Sequence, residues 1–157
     1  MKLEIPLPLR QEHEQLHAEL RRVTQAEGEV GEAARRLARL MHPHFVTEDE
    51  IALPPLGLLE KLAAGQFDAG MAAVLSLTDR LRAELPAMLA EHRTIVDELA
   101  RLEDAARRAG RDDVVEFAQA LKLHAATEEQ VMYPAAILVG EFVRRQLART
   151  GEPAAVA

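Results

Sequence analysis

No cysteine occurs anywhere in this sequence. Disulfide frameworks, Fe–S clusters, zinc fingers and thiol nucleophiles are therefore excluded, and any bound metal must be held by His, Asp and Glu. Tryptophan is absent too, and the aromatics, four Phe and one Tyr, make up 3% of the residues. Sheets draw on aromatic and β-branched side chains. Their scarcity, beside abundant Ala, Leu, Arg and Glu, argues for helix. There is no long apolar run: Ala135 to Val139 is among the longest, far short of the ~20 residues that cross a bilayer. No long basic run exists either, and the net charge is -7 with a pI near 5.4. Nucleic acid is therefore not an expected partner, and an acidic surface attracts cations weakly. The first ten residues, MKLEIPLPLR, lack the apolar core of a signal peptide. A cytoplasmic protein without a membrane span is expected.

What is present is a 48% apolar chain of 157 residues, enough for one domain with one core. The fold class read from it is all-α: an antiparallel up-and-down four-helix bundle with short extra helices. The domain is residues 1–157, with its core at about 9–134 and a C-terminal helix at about 135–148. Leu9, Leu16, Leu20 and Val23 recur at helical spacing and place helix 1 at about Leu9 to Gln25. Helix 2 starts near Glu32, bends near Arg39 to His42 because of Pro43, and stops at Pro54-Pro55. A short helix or turn is expected over Pro55 to Gly65, and a second short helix over Asp68 to Leu77. Thr78-Asp79 reads as the start of a long helix 3 that ends at Gly110, with Pro86 either kinking it or marking its first turn. Asp113 and Glu116 resemble a capping box for helix 4, which is expected to stop at Pro134. The tail from Thr150 is expected to fray.

The decisive pattern is an internal repeat. MHPHFVTEDEIALP (Met41 to Pro54) matches LKLHAATEEQVMYP (Leu121 to Pro134) without a gap, at an offset of 80. The pairs are His44 with His124, Glu48 with Glu128, Asp49 with Glu129 and Pro54 with Pro134. Upstream, QEHEQL (Gln11 to Leu16) matches AEHRTI (Ala90 to Ile95) at an offset of 79, pairing Glu12 with Glu91 and His13 with His92. Two helical hairpins related by an approximate two-fold make a four-helix bundle.

His44 and Glu48 are four residues apart, as are His124 and Glu128. On a helix such residues stack on one face, roughly 6 Å apart along the axis. An imidazole binds one metal, whereas a carboxylate can bridge two. Two copies therefore supply two bridging carboxylates, which is how bundles build dinuclear sites. His13 and His92 come from the other two helices at matching depth. His17 shares the face of His13, and its counterpart, Val96, is apolar, so both positions are read as inward. Two octahedral ions need twelve bonds. Two bridging carboxylates, five histidines and one oxo or hydroxo bridge supply eleven and leave one position open; without His17, two stay open. An N/O donor set with a vacancy suits iron or manganese better than structural zinc.

One histidine on helix 1, His-x-x-x-Glu on helix 2, one histidine on helix 3 and His-x-x-x-Glu on helix 4 resemble the bacterial hemerythrin-like, or HHE cation-binding, domain. The resemblance covers about Leu9 to Pro134. It implies an antiparallel bundle around an oxo- or hydroxo-bridged pair of iron ions, with manganese or zinc as other candidates. By motif position it implies His13, His44, Glu48, His92, His124 and Glu128 as ligands. The pattern differs from that of the oxygen-carrying hemerythrins, which place His-x-x-x-His on helix 3 and end on an Asp after a longer spacing.

Other polar residues are read more plainly. His17 is either a fifth nitrogen donor or a partly buried histidine. His42 is expected to face solvent, as are Asp49, Glu50 and Glu129. Glu12 and Glu91 are read as surface carboxylates, with an outer hydrogen bond to a ligand as the alternative. Tyr133, whose repeat counterpart is Leu53, is read as core, and so are Phe45, Phe117 and Phe142. The leading functional expectation is a di-iron protein that binds or senses dioxygen, a related small ligand, or iron. The alternatives are an enzyme reducing peroxide, oxygen or nitric oxide, and iron storage or donation. No output domain is expected, so a signal would pass through a protein partner or a homo-oligomer.

Overall fold

The computed structural model describes residues 3–151. The expected fraying of the tail falls, beyond Gly151, outside the described residues. All regular structure in that span is helical: α1 (Leu7–Thr24), α2 (Gly28–Thr47), α3 (Leu59–Ala63), α4 (Val74–Arg108), α5 (Asp112–Thr127) and α6 (Tyr133–Thr150). Four main helices form the body. α1 packs on α2 and α5, and α4 packs on the same two, closing a four-helix ring. No helix among the described residues is long and apolar enough to cross a membrane.

Each helix carries apolar residues above and below one polar layer. On one side lie Leu20, Leu37, Met41, Phe45, Ile95, Leu99, Phe117 and Leu121. On the other lie Ile51, Leu53, Leu81, Met88, Met132 and Tyr133. Between them, on all four helices, sit buried histidines and glutamates. Burying such groups is unfavourable unless they are paired or bind metal, so the apolar layers hold in place a polar layer they do not themselves favour.

α2 continues through Pro43, and α4 through Pro86. The prolines read as helix stops behave differently from that expectation. Neither Pro54 nor Pro134 follows an α-turn directly. A single wide π-turn precedes each, over Glu48–Ala52 and Glu128–Met132. The Leu53 N–H reaches back five residues to the Glu48 carbonyl at 3.0 Å, and the Tyr133 N–H reaches the Glu128 carbonyl in the same way. After the wide turn, Pro134 lies in the first turn of α6, where its missing N–H is not needed. Helix 4 therefore runs on through Pro134 instead of stopping. The two π-turns are the internal repeat expressed as backbone, and both begin at the Glu of His-x-x-x-Glu.

Three further expectations are corrected. Helix 3 begins at Val74, not Thr78, because Val74 and Leu75 pack with Val139, Val143 and Leu147 of α6. The Thr78 hydroxyl donates to the Leu75 carbonyl at 3.2 Å and caps nothing. Asp113 makes no cap; it takes hydrogen bonds from Arg22 and Arg111 at 3.0 and 2.9 Å. Phe142, read as core, is 41% exposed.

α4 and α6 approach closely at Gly140. A Cβ there would lie 2.1 Å from Oγ1 of buried Thr78. Gly140→Ala is therefore expected to cost about 1–3 kcal/mol of overpacking, read as a lower melting temperature. An unchanged melt would show that the helices part without strain.

Candidate metal centre

Four histidine rings turn Nε2 toward one another in the polar layer, in two pairs. His44 of α2 and His92 of α4 stand 2.7 Å apart, Nε2 to Nε2. His13 of α1 and His124 of α5 stand 3.2 Å apart. Two nitrogens bound side by side to one metal at about 2.1 Å lie roughly 3 Å from each other, so both separations are ligand spacings.

The two glutamates lie between the pairs. Glu128 places Oε1 2.7 Å from His124 Nε2 and 3.3 Å from His13 Nε2, and Oε2 3.4 Å from His92 Nε2. Glu48 places Oε1 3.2 Å from His44 Nε2 and Oε2 3.9 Å from His13 Nε2. Each carboxylate thus offers one oxygen to each imidazole pair. All six side chains are at least nine-tenths buried. Donor atoms of His44, Glu48, His92 and Glu128 converge within 4.8 Å of one another, as do those of His13, His124 and Glu128.

The electrostatics fit a cation. Burial alone would lower the basicity of these imidazoles. In His13 that effect is outweighed by the neighbouring Asp49 and Glu128 carboxylates and by the Glu48 charge, and the pKa is raised to about 10. His44 is raised to about 9 against burial by Glu48 and Glu91, and His124 is raised by Glu128 and Glu12. Burial pushes Glu128 up, but hydrogen bonds from His124, His13 and His92 win and hold it well below the usual carboxylate range. Glu48 is pushed up by burial and then by the Glu128 charge. Metal-free, the layer gathers protons to balance its carboxylates. Divalent ions would supply that positive charge.

A second ring of carboxylates lies outside the first; the sequence offers Glu12 and Glu91 for it as an alternative reading, and Asp49 and Glu129 not at all. Glu91 takes a hydrogen bond from His44 Nδ1 at 2.9 Å, and Glu129 from His92 Nδ1 at 3.0 Å. Glu12 lies 3.1 Å from His124 Nδ1, and Asp49 3.4 Å from His13 Nδ1. All four are partly exposed, which is why their pattern reads as surface. The available signal was the repeat itself, which carries an acid before each lone histidine and after each glutamate.

Tyr133 is fully buried, and its hydroxyl donates to Glu48 Oε1. It also lies 3.2 Å from His92 Nε2. Burial and the charges of Glu48 and Glu128 push its pKa well above the ordinary phenol range, so it keeps its proton. His17 lies outside both donor groups. It is half-buried, with its ring 4.0 Å from that of Phe45. Val96, read as its inward counterpart, is 38% exposed, so the face argument that linked the two positions does not hold. His42 is exposed, as read.

A small void of about 10 Å³ touches the centre. It is lined by His44, His92, His124 and Glu128, and by the apolar Met41, Ile95, Leu121 and Ala125.

A family model, the hemerythrin HHE cation binding domain, matches residues 8–136 and, in a second match, 83–151. The chain belongs to that family. The second match begins inside α4, as a repeated hairpin would give. Neither the comparison with curated proteins nor that with solved structures returns a match.

Proposed function

We propose that this protein holds two iron ions and uses them to bind or sense a small ligand such as dioxygen. His44 and His92 would hold one ion, and His13 and His124 the other, with Glu48 and Glu128 bridging in an antiparallel bundle. Iron held there would supply redox-active, Lewis-acidic chemistry to a small ligand. Manganese and zinc remain alternatives to be settled by metal analysis.

The observation that carries the binding reading is the void. It meets His44 and His92 of one pair and His124 of the other, its remaining walls are apolar, and no hydroxyl or carboxylic acid other than Glu128 lines it. An enzyme places a proton donor where the bound molecule reacts. A gas-binding pocket needs only space and dryness. The test is iron reconstitution without air, followed by an optical spectrum in air and again after removal of the gas. An oxo-bridged ferric spectrum that reverses supports binding. One that forms once, consumes oxygen and does not reverse supports the enzyme reading.

The enzyme alternative rests on Tyr133, the one buried O–H at the ligand layer. With six residues supplying the ligands, His17→Val is expected to retain two metals per chain with an unchanged spectrum. A changed spectrum would restore His17 as a fifth nitrogen donor.

A further inference from the structure

The repeat makes the two halves of the centre alike in sequence, yet they differ in how firmly their ligands are held. We propose that the two metal positions are unequal. The position between His44 and His92 is preformed and fills first, and the position between His13 and His124 fills second and exchanges its ion. This rests on the two-metal reading given above.

The difference begins outside the ligand shell. An Nδ1–H bonded to a carboxylate fixes the ring's rotation and tautomer, and it makes Nε2 a better donor. His44 and His92 both have this bond, to Glu91 and Glu129. His13 and His124 do not: Asp49 and Glu12 stand 3.4 and 3.1 Å away without forming a hydrogen bond, and both Nδ1 atoms lack a partner. The bridging carboxylate shows the same bias. Glu48 Oε1, which faces His44, is fixed by the Tyr133 hydroxyl. Glu48 Oε2, which faces His13, has no partner. These three atoms are the only buried side-chain polar atoms without a hydrogen bond among the described residues, and all three belong to one half of the centre.

Donor convergence agrees. Four residues gather on the His44–His92 side and three on the His13–His124 side. Glu12, beside His124, lines a surface groove of about 430 Å³ between α1 and α5, with Gln15, Glu19 and Glu116. The partners that orient ligand histidines are worth about 10–100-fold in metal affinity, which sets the expected separation.

The experiment is calorimetry of the metal-free, full-length chain with ferrous ion added stepwise without air. Two steps are expected, separated by at least about tenfold. Glu91→Ala and Glu129→Ala should each weaken the first step about 10–100-fold and leave the second nearly unchanged. Glu91→Gln keeps an acceptor oxygen and should recover most of the loss, which a merely structural role would not predict. Glu12→Ala and Asp49→Ala remove no such hydrogen bond, so they should leave the first step unchanged and alter the second far less than Glu91→Ala and Glu129→Ala alter the first. Two ions bound with equal affinity, or outer-ring variants that weaken both steps alike, would overturn the inequality while leaving the two-metal reading intact. One ion per chain would overturn both.

Discussion

Glu128→Ala is expected to empty both metal positions, leaving well under one ion per chain where the parent carries two. Glu128 is the one residue common to both groups of converging donors. Its two oxygens reach three of the four imidazoles, His124, His13 and His92. The substitution therefore removes a ligand from each position at once. It also takes away the negative charge that, with Glu48, offsets the ions in the buried layer. Four imidazoles remain, two to a position, with their lone pairs crowded together. Outer partners alone are worth about 10–100-fold each, so losing a bridging ligand should exceed that at both positions. Metal analysis after reconstitution reads the result. Two ions retained by Glu128→Ala would mean that the carboxylate is a core ion-pair partner and not a bridge.

The strength of that expectation shows which parts of the molecule were legible in its sequence. The six buried ligand candidates were found because the repeat makes His, Glu and apolar positions recur together, and burial depends on that register. The helices followed from apolar spacing. The two π-turns were not seen, because a proline after an apolar run reads as a stop. Nothing in side-chain periodicity shows that the backbone can widen one turn and carry the proline into a new first turn. The start of α4 was misplaced for a related reason. Thr78-Asp79 has the composition of a cap, but burial of Val74 and Leu75 against α6 outweighs a local capping preference.

The outer carboxylates have the sequence character of ordinary surface acids. Glu12, Asp49, Glu91 and Glu129 are partly exposed, as charged residues at such positions usually are. Only the direction of each Nδ1 separates them from ordinary surface acids. The assignment of His17 and Val96 to a shared inward face went astray through the reverse error. An apolar residue on a helix flank need not be core, and Val96 is 38% exposed. Tyr133 breaks the repeat, with Leu53 as its counterpart, and this asymmetry falls on the half of the centre that is more firmly held.

Removing the metal is expected to lower the melting temperature by roughly 8–16 °C at neutral pH, and the gap should widen as the pH is raised. An ion present at about a thousand times its Kd stabilises the folded chain by ~4 kcal/mol. In a chain of this size each kcal/mol is worth roughly 2–4 °C. The pH dependence follows from the imidazoles. In the metal-free layer His13 and His44 are raised to about 10 and about 9, and His124 is raised as well. A group whose folded pKa is raised contributes stability that is fully present below its unfolded value, near 6.5, and is lost as the pH climbs through its folded value. The metal-free protein should therefore weaken between about pH 6.5 and pH 10. Metal binding needs these same nitrogens unprotonated, so the loaded protein gains over that range. Below pH 6.5 protons and metal compete for one set of lone pairs, and the two curves should converge. Calorimetric melts of chelated and reconstituted protein at pH 6, 7.5 and 9 test this. Equal melting temperatures at all three would place the ions somewhere other than the buried layer.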